Sequence, residues 1–154
     1  MLDLSGRAYH QLDEKNRVRI PSKFFPPRED GTELDEKDDR SGVKYTLMIG
    51  SQGCISVYLK EDLMAKMLPL RTAAPTEAIV EAQRKIRGSM EDVVTDKQGR
   101  VVVPQSLRDM AGLSKDLVSI GMGDHFEIWA KELLAVEDEK MSFATAFKEL
   151  GIFF

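Results

Sequence analysis

The chain has little of the chemistry that builds disulfides or metal centres. Its 154 residues include one cysteine, Cys54, and two histidines, His10 and His125. A single cysteine excludes an intramolecular disulfide, and this set cannot supply the ligands of the usual Cys/His zinc site. We therefore predict no metal and no other cofactor.

Long apolar runs and a secretory leader are also missing. No stretch approaches the roughly 20 apolar residues that span a bilayer. The start, MLDLSGRAYHQLDEKNR, has an early acid and no apolar stretch before a small-residue cleavage site, unlike a signal peptide. With 42% hydrophobic and 31% charged residues, the composition is typical of a globular domain. These features favour a cytoplasmic protein without a membrane partner.

The common enzyme motifs are absent. The sequence contains no Gly-rich phosphate loop, no GxSxG and no HExxH. Neither Cys54 nor His125 lies in a motif that would activate it, and no pattern pairs two carboxylates in an apolar pocket. We predict that the protein is not an enzyme.

The net charge of -4 hides an uneven distribution. Residues 1–28 carry six bases and three acids, whereas residues 29–41 carry seven acids and two bases. Because lysine and arginine drive phosphate binding, the basic start is compatible with nucleic-acid binding although the whole chain is acidic. The acidic segment has one large apolar residue, Leu34, and is predicted to be a solvated loop.

Two short segments repeat at an offset of 83 residues: DEKNRVRIP at 13–21 and DKQGRVVVP at 96–104. Each has an aspartate, an arginine four residues later, alternating apolar residues and a closing proline. Asn16 and Gly99 occupy the equivalent position, and both residue types readily adopt left-handed backbone. Each copy is therefore predicted to be a tight turn followed by a short strand that the proline ends.

A second match, at an offset of 71 residues, relates LMIGSQGCISVYLKEDL to VSIGMGDHFEIWAKELL. Each copy predicts a strand, a Gly-containing turn, a second strand ending in an aromatic residue, and the start of a helix. The two offsets differ by 12, so the first copy has 12 extra residues in or beside the acidic segment. The acidic segment is thus interpreted as a surface insertion.

The remaining segments have helical spacing of apolar residues. A helix is predicted for KEDLMAKML, for PTEAIVEAQRKIRGSM starting at Pro75, for QSLRDMAGL ending at Gly112, and one or two more after Trp129. We predict an α+β protein of two repeats. Its parts are a first repeat (1–68, with the acidic insertion at about 29–41), a connecting helix (69–90), a second repeat (91–135) and a helical tail (136–154).

The duplicated motif, with SLRDMAGL behind its second copy and FEIWAKELL further on, resembles the MraZ family of bacterial transcriptional regulators over nearly the whole chain. The resemblance implies two tandem AbrB-like swapped-hairpin β-barrel repeats with short flanking helices. It also implies a ring-shaped homo-oligomer, located at the nucleoid, that represses cell-division and cell-wall genes by binding tandem repeats in double-stranded DNA. The chain departs from the family at Asn16, where glycine is usual, and in its acidic insertion.

Strand alternation predicts that Arg17 and Arg19 share one face while Val18 and Ile20 point into the core. With the resemblance, the residues predicted to contact DNA are Arg17, Lys15, Arg19, Arg100, Arg7 and Lys23. Val102 and Gln98 replace the second arginine and the lysine in the second repeat, so the first repeat is predicted to be the better contact. In each turn two residues are expected to set the turn's shape and to orient its arginine. They are Asp13 and Asn16 in the first turn, and Asp96 and Gly99 in the second.

Two rival hypotheses stay open. In the first, the Asp–Arg motif is only a local ion pair, and the chain is an oligomeric scaffold or protein-interaction module without DNA binding. In the second, the protein is a ring-shaped enzyme, which would need a cleft of convergent titratable groups. The basic trio Arg84, Lys85 and Arg87 favours a solvated or subunit-contacting surface, and the apolar end GIFF is expected to dock on the same or a neighbouring subunit.

Deleting residues 29–41 is expected to strengthen non-specific DNA binding if this segment lies near the contact face, because the deletion removes a net charge of -5 that repels phosphate. The measurement is affinity for an unrelated duplex at several salt concentrations. An unchanged affinity would place the segment elsewhere.

Overall fold

The computed structural model describes residues 2–35, 37–71 and 74–152, and within them the chain is α+β, as predicted. The strands are β1 (Arg7–Gln11), β2 (Arg17–Arg19), β3 (Lys44–Ile49), β4 (Ile55–Leu59), β5 (Glu91–Val94), β6 (Arg100–Val102), β7 (Asp116–Gly121) and β8 (Phe126–Ala130). The α-helices are α1 (Lys60–Met67), α2 (Glu77–Ser89), α3 (Gln105–Ala111), α4 (Lys131–Glu139) and α5 (Phe143–Leu150).

Six strands form one antiparallel sheet in the order β1-β7-β8-β4-β3-β5, and β2 pairs with β6 in a separate two-stranded ribbon. The predicted strand–turn–strand units are confirmed as the hairpins β3–β4 and β7–β8, which join where Ile55 lies opposite Ile128. The first strand of each repeat pairs with the other repeat, since β1 pairs with β7 and β5 pairs with β3. The two repeats are therefore interleaved.

The main core lies between the ribbon and the sheet, and both repeats contribute to it. Its largest fully buried side chains are Tyr45, Phe24, Phe126, Ile20, Leu47, Ile55, Leu107, Leu117, Ile128, Val18, Val57 and Val101. The rings of Phe24 and Phe126 stack with centroids 5.0 Å apart. Because side chains alternate along a strand, Val118 and Trp129 point to the opposite face of the sheet, where they form a second cluster with Cys54 and Leu134.

The helices mostly begin and end where the sequence predicts. The Lys60 start of α1 and the left-handed Gly112 that ends α3, at φ 60°, are confirmed. Helix α2 begins at Glu77, two residues beyond Pro75, because the Thr76 side chain caps it by accepting a hydrogen bond from the Ile79 amide. Among the described helices, none is both long enough and apolar enough to pass through a bilayer.

The described residues of the acidic segment, 29–35 and 37–41, form an irregular, largely exposed loop as expected, but Arg40 departs from the prediction. Its side chain is buried, with 3% of the residue exposed. The guanidinium lies 5.4 Å from the centroid of the Phe25 ring and donates a hydrogen bond to Ser22 Oγ at 3.1 Å. A guanidinium can be buried when an aromatic ring and hydrogen-bond acceptors replace its water.

Gly121→Ala is expected to lower the free energy of unfolding by roughly 1–3 kcal/mol, the usual cost of overpacking. An added Cβ at Gly121 would lie 2.3 Å from the Ser5 amide nitrogen, so the backbone before β1 would have to move. The measurement is chemical denaturation.

The matched control is Gly88→Ala in α2, where an added Cβ would meet no described heavy atom within 4 Å other than those of its chain neighbours and its own helix backbone. That variant is expected to be more stable than the wild type by about 0.5–1 kcal/mol, because alanine is a better helix former. Equal effects of the two substitutions would contradict the close approach at Gly121.

Candidate nucleic-acid interface

The two Asp–Arg motifs form turns with the same hydrogen bonds. Asp13 accepts from the Arg17 amide at 2.8 Å and from Arg17 Nε at 2.7 Å. Asp96 accepts from the Arg100 amide at 2.9 Å and from Arg100 Nε at 2.7 Å. The aspartates use one N–H of each guanidinium, so four of its five donors remain for a further acceptor. The expectation that the aspartates shape the turns and orient the arginines fits this geometry.

The left-handed residue of each turn is where the sequence predicts it. Asn16 has φ 60° and Gly99 has φ 74°. The two positions differ in the space around them, because a Cβ added at Gly99 would lie 2.9 Å from the Phe25 ring. Asparagine can therefore replace glycine in the first turn, while the second turn is too crowded for a side chain.

The ribbon brings three arginines to one face. Val18 and Val101 lie opposite each other, and both are buried. On either side of this pair, Arg17 lies opposite Val102, and Arg19 lies opposite Arg100. Since side chains alternate, these last four residues share the outer face, and the predicted grouping of Arg17 with Arg19 is confirmed. Sequence reasoning missed that Arg100 lies directly across from Arg19. The sequence repeat could have predicted this register, because two equivalent strands related by a local two-fold axis pair antiparallel.

The turns and strands of the ribbon are tied to each other across the repeats. The Asn16 carbonyl accepts a hydrogen bond from the Val103 amide at 2.9 Å, and the Gly99 carbonyl accepts one from the Ile20 amide at 2.9 Å. Arg19 Nη2 also donates to Gln98 Oε1 at 3.3 Å. The arginines therefore project from a hydrogen-bonded scaffold rather than from free loops.

The other predicted DNA-contact residues lie in different settings. Lys15 is exposed in the first turn, next to the ribbon. Lys23 follows the ribbon in a short 3-10 turn, where its ammonium donates to the Arg7 carbonyl. Arg7 begins β1 rather than lying on a free arm, and its guanidinium makes two hydrogen bonds of 2.7 Å to the carboxylate of Asp138 in α4.

Both turn aspartates are stabilised in their charged form. The hydrogen bond from the Arg17 amide, followed by the Arg17 side chain, lowers the pKa of Asp13. Partial burial raises the pKa of Asp96, but hydrogen bonds from the Arg100 amide and side chain outweigh it, so this pKa is also lowered. At neutral pH each motif arginine is thus oriented by a full negative charge.

The acidic segment ends against the second turn. The Arg40 amide donates to the Lys97 carbonyl at 3.1 Å, and the Gly42 amide donates to the Thr95 carbonyl at 3.0 Å. The C-terminal end of the acidic segment therefore lies beside the second turn.

Cys54 and His125 are both held in place by their neighbours. Burial raises the pKa of Cys54 to about 12, which keeps its thiol protonated. His125 stacks on Tyr58, with ring centroids 4.5 Å apart, and its Nδ1 bonds Asp124. In the part of the chain that the structure describes, no three His, Cys, Asp or Glu residues are placed to bind a metal ion together.

Comparisons with known proteins point to one family. A family model described as "MraZ protein, putative antitoxin-like" matches residues 89–150. A protein of Clostridium acetobutylicum named transcriptional regulator MraZ is 37% identical over 96% of this chain and 98% of its own length. Proteins of the same name from Clostridium beijerinckii and Lachnoclostridium phytofermentans are 34% and 32% identical, covering 96% and 82% of this chain and 98% and 81% of their own lengths.

Replacing both turn aspartates, by Asp13→Asn and Asp96→Asn, is expected to flatten the acid limb of the stability curve. Their pKa values are lower in the folded chain than the unfolded value of about 3.9, so their stabilisation is complete above that pH and is lost as pH falls through the folded values. The measurement is the free energy of unfolding from pH 7 to pH 2. The double variant should be less stable than the wild type at pH 7 and approach it at pH 2.

Glu14→Gln is the control, because it removes an exposed carboxylate of the first turn that lies outside this hydrogen-bond pattern. Parallel curves for the wild type and the double variant would show that these ion pairs do not stabilise the fold.

Proposed function

This chain belongs to the MraZ family, and from that membership together with the ribbon we propose that it is a transcriptional regulator that binds double-stranded DNA through β2 and β6. The observation that carries the proposal is the outer face of the ribbon, where the exposed Arg19 lies with Arg17 and Arg100, whose side chains are 25% and 26% exposed. Two of these arginines are oriented by ionised aspartates on a scaffold whose other face is in the core.

The shape of the ribbon supports this function. A two-stranded β-ribbon fits the major groove of B-DNA, which is about 12 Å wide. There, an arginine can donate two parallel hydrogen bonds to the O6 and N7 of guanine, which is the commonest specific contact. An arginine already oriented by a carboxylate loses less conformational entropy when it binds. Arg17 and Arg100 are accordingly assigned to bases.

The other basic residues are assigned by their partners. Arg19 and Lys15 are exposed beside the oriented arginines and are assigned to phosphates. Arg7 and Lys23 bind Asp138 and the Arg7 carbonyl respectively, so we assign them to holding β1 in place. This assignment narrows the set expected from the sequence to four residues.

The proposal includes a homo-oligomeric ring acting on tandem promoter repeats. A single ribbon offers few contacts, but linked copies raise the effective concentration of each further ribbon and gain affinity by decades. Copies on one face of DNA require sites about 10 to 10.5 base pairs apart. We further propose that the protein represses cell-division and cell-wall genes at the nucleoid. We also propose that the chain consists of two AbrB-like swapped-hairpin repeats, at 1–68 and 91–135, with a connecting segment at 69–90 and a tail at 136–154. These finer statements rest on family likeness.

A scaffold or protein-interaction module is the second candidate, and one observation favours it. Helix α5 has no buried residue, and it exposes 86% of Phe143 and 70% of Leu150. Exposed apolar residues of this size commonly mark a protein contact. Such a contact is also compatible with a DNA-binding oligomer, so DNA affinity decides between the two candidates.

The test is binding to the DNA upstream of the chain's own coding sequence, measured at several salt concentrations. Arg17→Ala and Arg100→Ala are each expected to weaken binding by roughly 5- to 150-fold, because one bidentate base contact discriminates by about 1–3 kcal/mol. Lys15→Ala is expected to reduce the slope of log affinity against log salt by about one. Arg84→Ala, on the exposed surface of α2, is the control and should change neither quantity.

Wild-type affinity and an unchanged salt slope in both arginine variants would contradict the proposal and favour the scaffold.

The same titration also tests the acidic segment more sharply than a deletion does, because deleting residues 29–41 would also remove the buried Arg40. Glu29→Gln with Glu33→Gln neutralises two exposed carboxylates and keeps Arg40. Stronger non-specific binding is expected.

A further inference from the structure

The ribbon has a local two-fold axis through the pair Val18 and Val101. The axis relates residues 83 apart, so it exchanges Arg17 with Arg100 and Asp13 with Asp96. The corresponding Asp–Arg hydrogen bonds agree closely, with amide distances of 2.8 and 2.9 Å and Nε distances of 2.7 Å in both turns. The backbone and the oriented arginines of the outer face are therefore nearly symmetric.

Two further positions of this face break the symmetry. The axis exchanges Arg19 with Val102, and Lys15 with Gln98. At one end of the ribbon Arg19 and Arg100 lie opposite each other, and at the other end Arg17 lies opposite a valine. Val102 remains 55% exposed, beside three arginines.

Folding does not account for this valine. Valine suits a strand, but Arg19 occupies the symmetry-related place in the same ribbon, so the strand tolerates a long polar side chain there. The core beneath is closed by Val18 and Val101, which point the other way. Val102 therefore leaves apolar surface on a face that otherwise carries charge.

We propose that Val102 gives the DNA-binding face a direction, by contacting the C5-methyl group of a thymine in the major groove while the opposite end, with Arg19 and Arg100, takes guanine and phosphate. This inference rests on the proposed DNA binding. Apolar side chains recognise the thymine methyl in the major groove, where arginine recognises guanine. Val102 is thus a specificity-determining residue.

Direction has a consequence for the target. A two-fold symmetric protein reads a palindromic site, because operator symmetry mirrors protein symmetry. A face with arginine at one end and valine at the other fits its site in one orientation only.

The first experiment replaces each thymine of a bound duplex by deoxyuridine, which lacks only the C5-methyl group. The probe is the tightest duplex recovered by selection from a random DNA pool. For the wild type, one substitution per repeat should weaken binding by about fourfold, as expected for loss of one buried methyl-sized contact. In Val102→Ala, whose side chain lacks two methyl groups, that same substitution should have a clearly smaller effect. Val94→Ala is the matched control, because Val94 is also an exposed strand valine, at 57%, and lies outside the ribbon.

The second experiment measures orientation, by energy transfer between a dye on the protein and a dye at one end of a duplex with a single repeat. The wild type should give one transfer efficiency, and reversing the repeat should change it. Val102→Arg combined with Gln98→Lys makes the two symmetry-related pairs alike and should give both orientations, whereas Val94→Arg should keep one.

Three results would overturn the inference: no effect of any deoxyuridine substitution in the wild type, an effect of undiminished size in Val102→Ala, or two orientations in the wild type. In each of these outcomes DNA binding stands, as long as Arg17→Ala still weakens it. A wild type that selects no duplex from the pool overturns the proposed function, and this inference with it.

Discussion

Burial of one apolar pair determines the functional surface of this protein. Val18 and Val101 can be withdrawn from water only if the two motif strands pair with each other above the sheet. Each buried valine contributes about 1.5–3 kcal/mol, whereas two like charges 4 Å apart in water repel by about 1 kcal/mol. Hydrophobic burial therefore outweighs the repulsion among the arginines, and strand alternation then requires Arg17, Arg19 and Arg100 to share the outer face.

The positive charges on this face are partly compensated by carboxylates in direct contact with them. Each motif aspartate lies 2.7 Å from the Nε of its arginine, so part of the repulsion between the guanidiniums is compensated before any ligand arrives. The same carboxylates reduce the net positive charge of the ribbon, and a smaller net charge weakens sequence-independent attraction to phosphate.

Local patterns were enough to predict the elements but not their long-range partners. The left-handed Asn16 and Gly99, the hairpins and the end of α3 at Gly112 follow from turn chemistry and from periods of two and 3.6 residues. The register of Arg19 with Arg100 depends on which strands meet, and alternation does not contain this information. The burial of Arg40 needs the distant Phe25 ring, just as the pairing of Arg7 needs Asp138. For the same reason, the sequence led us to compare the two repeats as separate DNA contacts, although the ribbon combines one strand of each repeat into a single face.

The pairing of β1 with β7 also constrains how the chain reaches its native state. Ala8 pairs with Ser119, and Val18 pairs with Val101, so contacts at the centre of the fold join residues far apart in sequence. Loop closure must precede such contacts, which makes folding slow relative to a chain of local contacts. During synthesis, the first repeat leaves the ribosome with β1 and β2 unpaired, and these strands stay exposed until the second repeat follows. The polar residues of β1 and the arginines of β2 oppose aggregation while these strands are unpaired, because charged and polar strand edges disfavour pairing with other nascent chains.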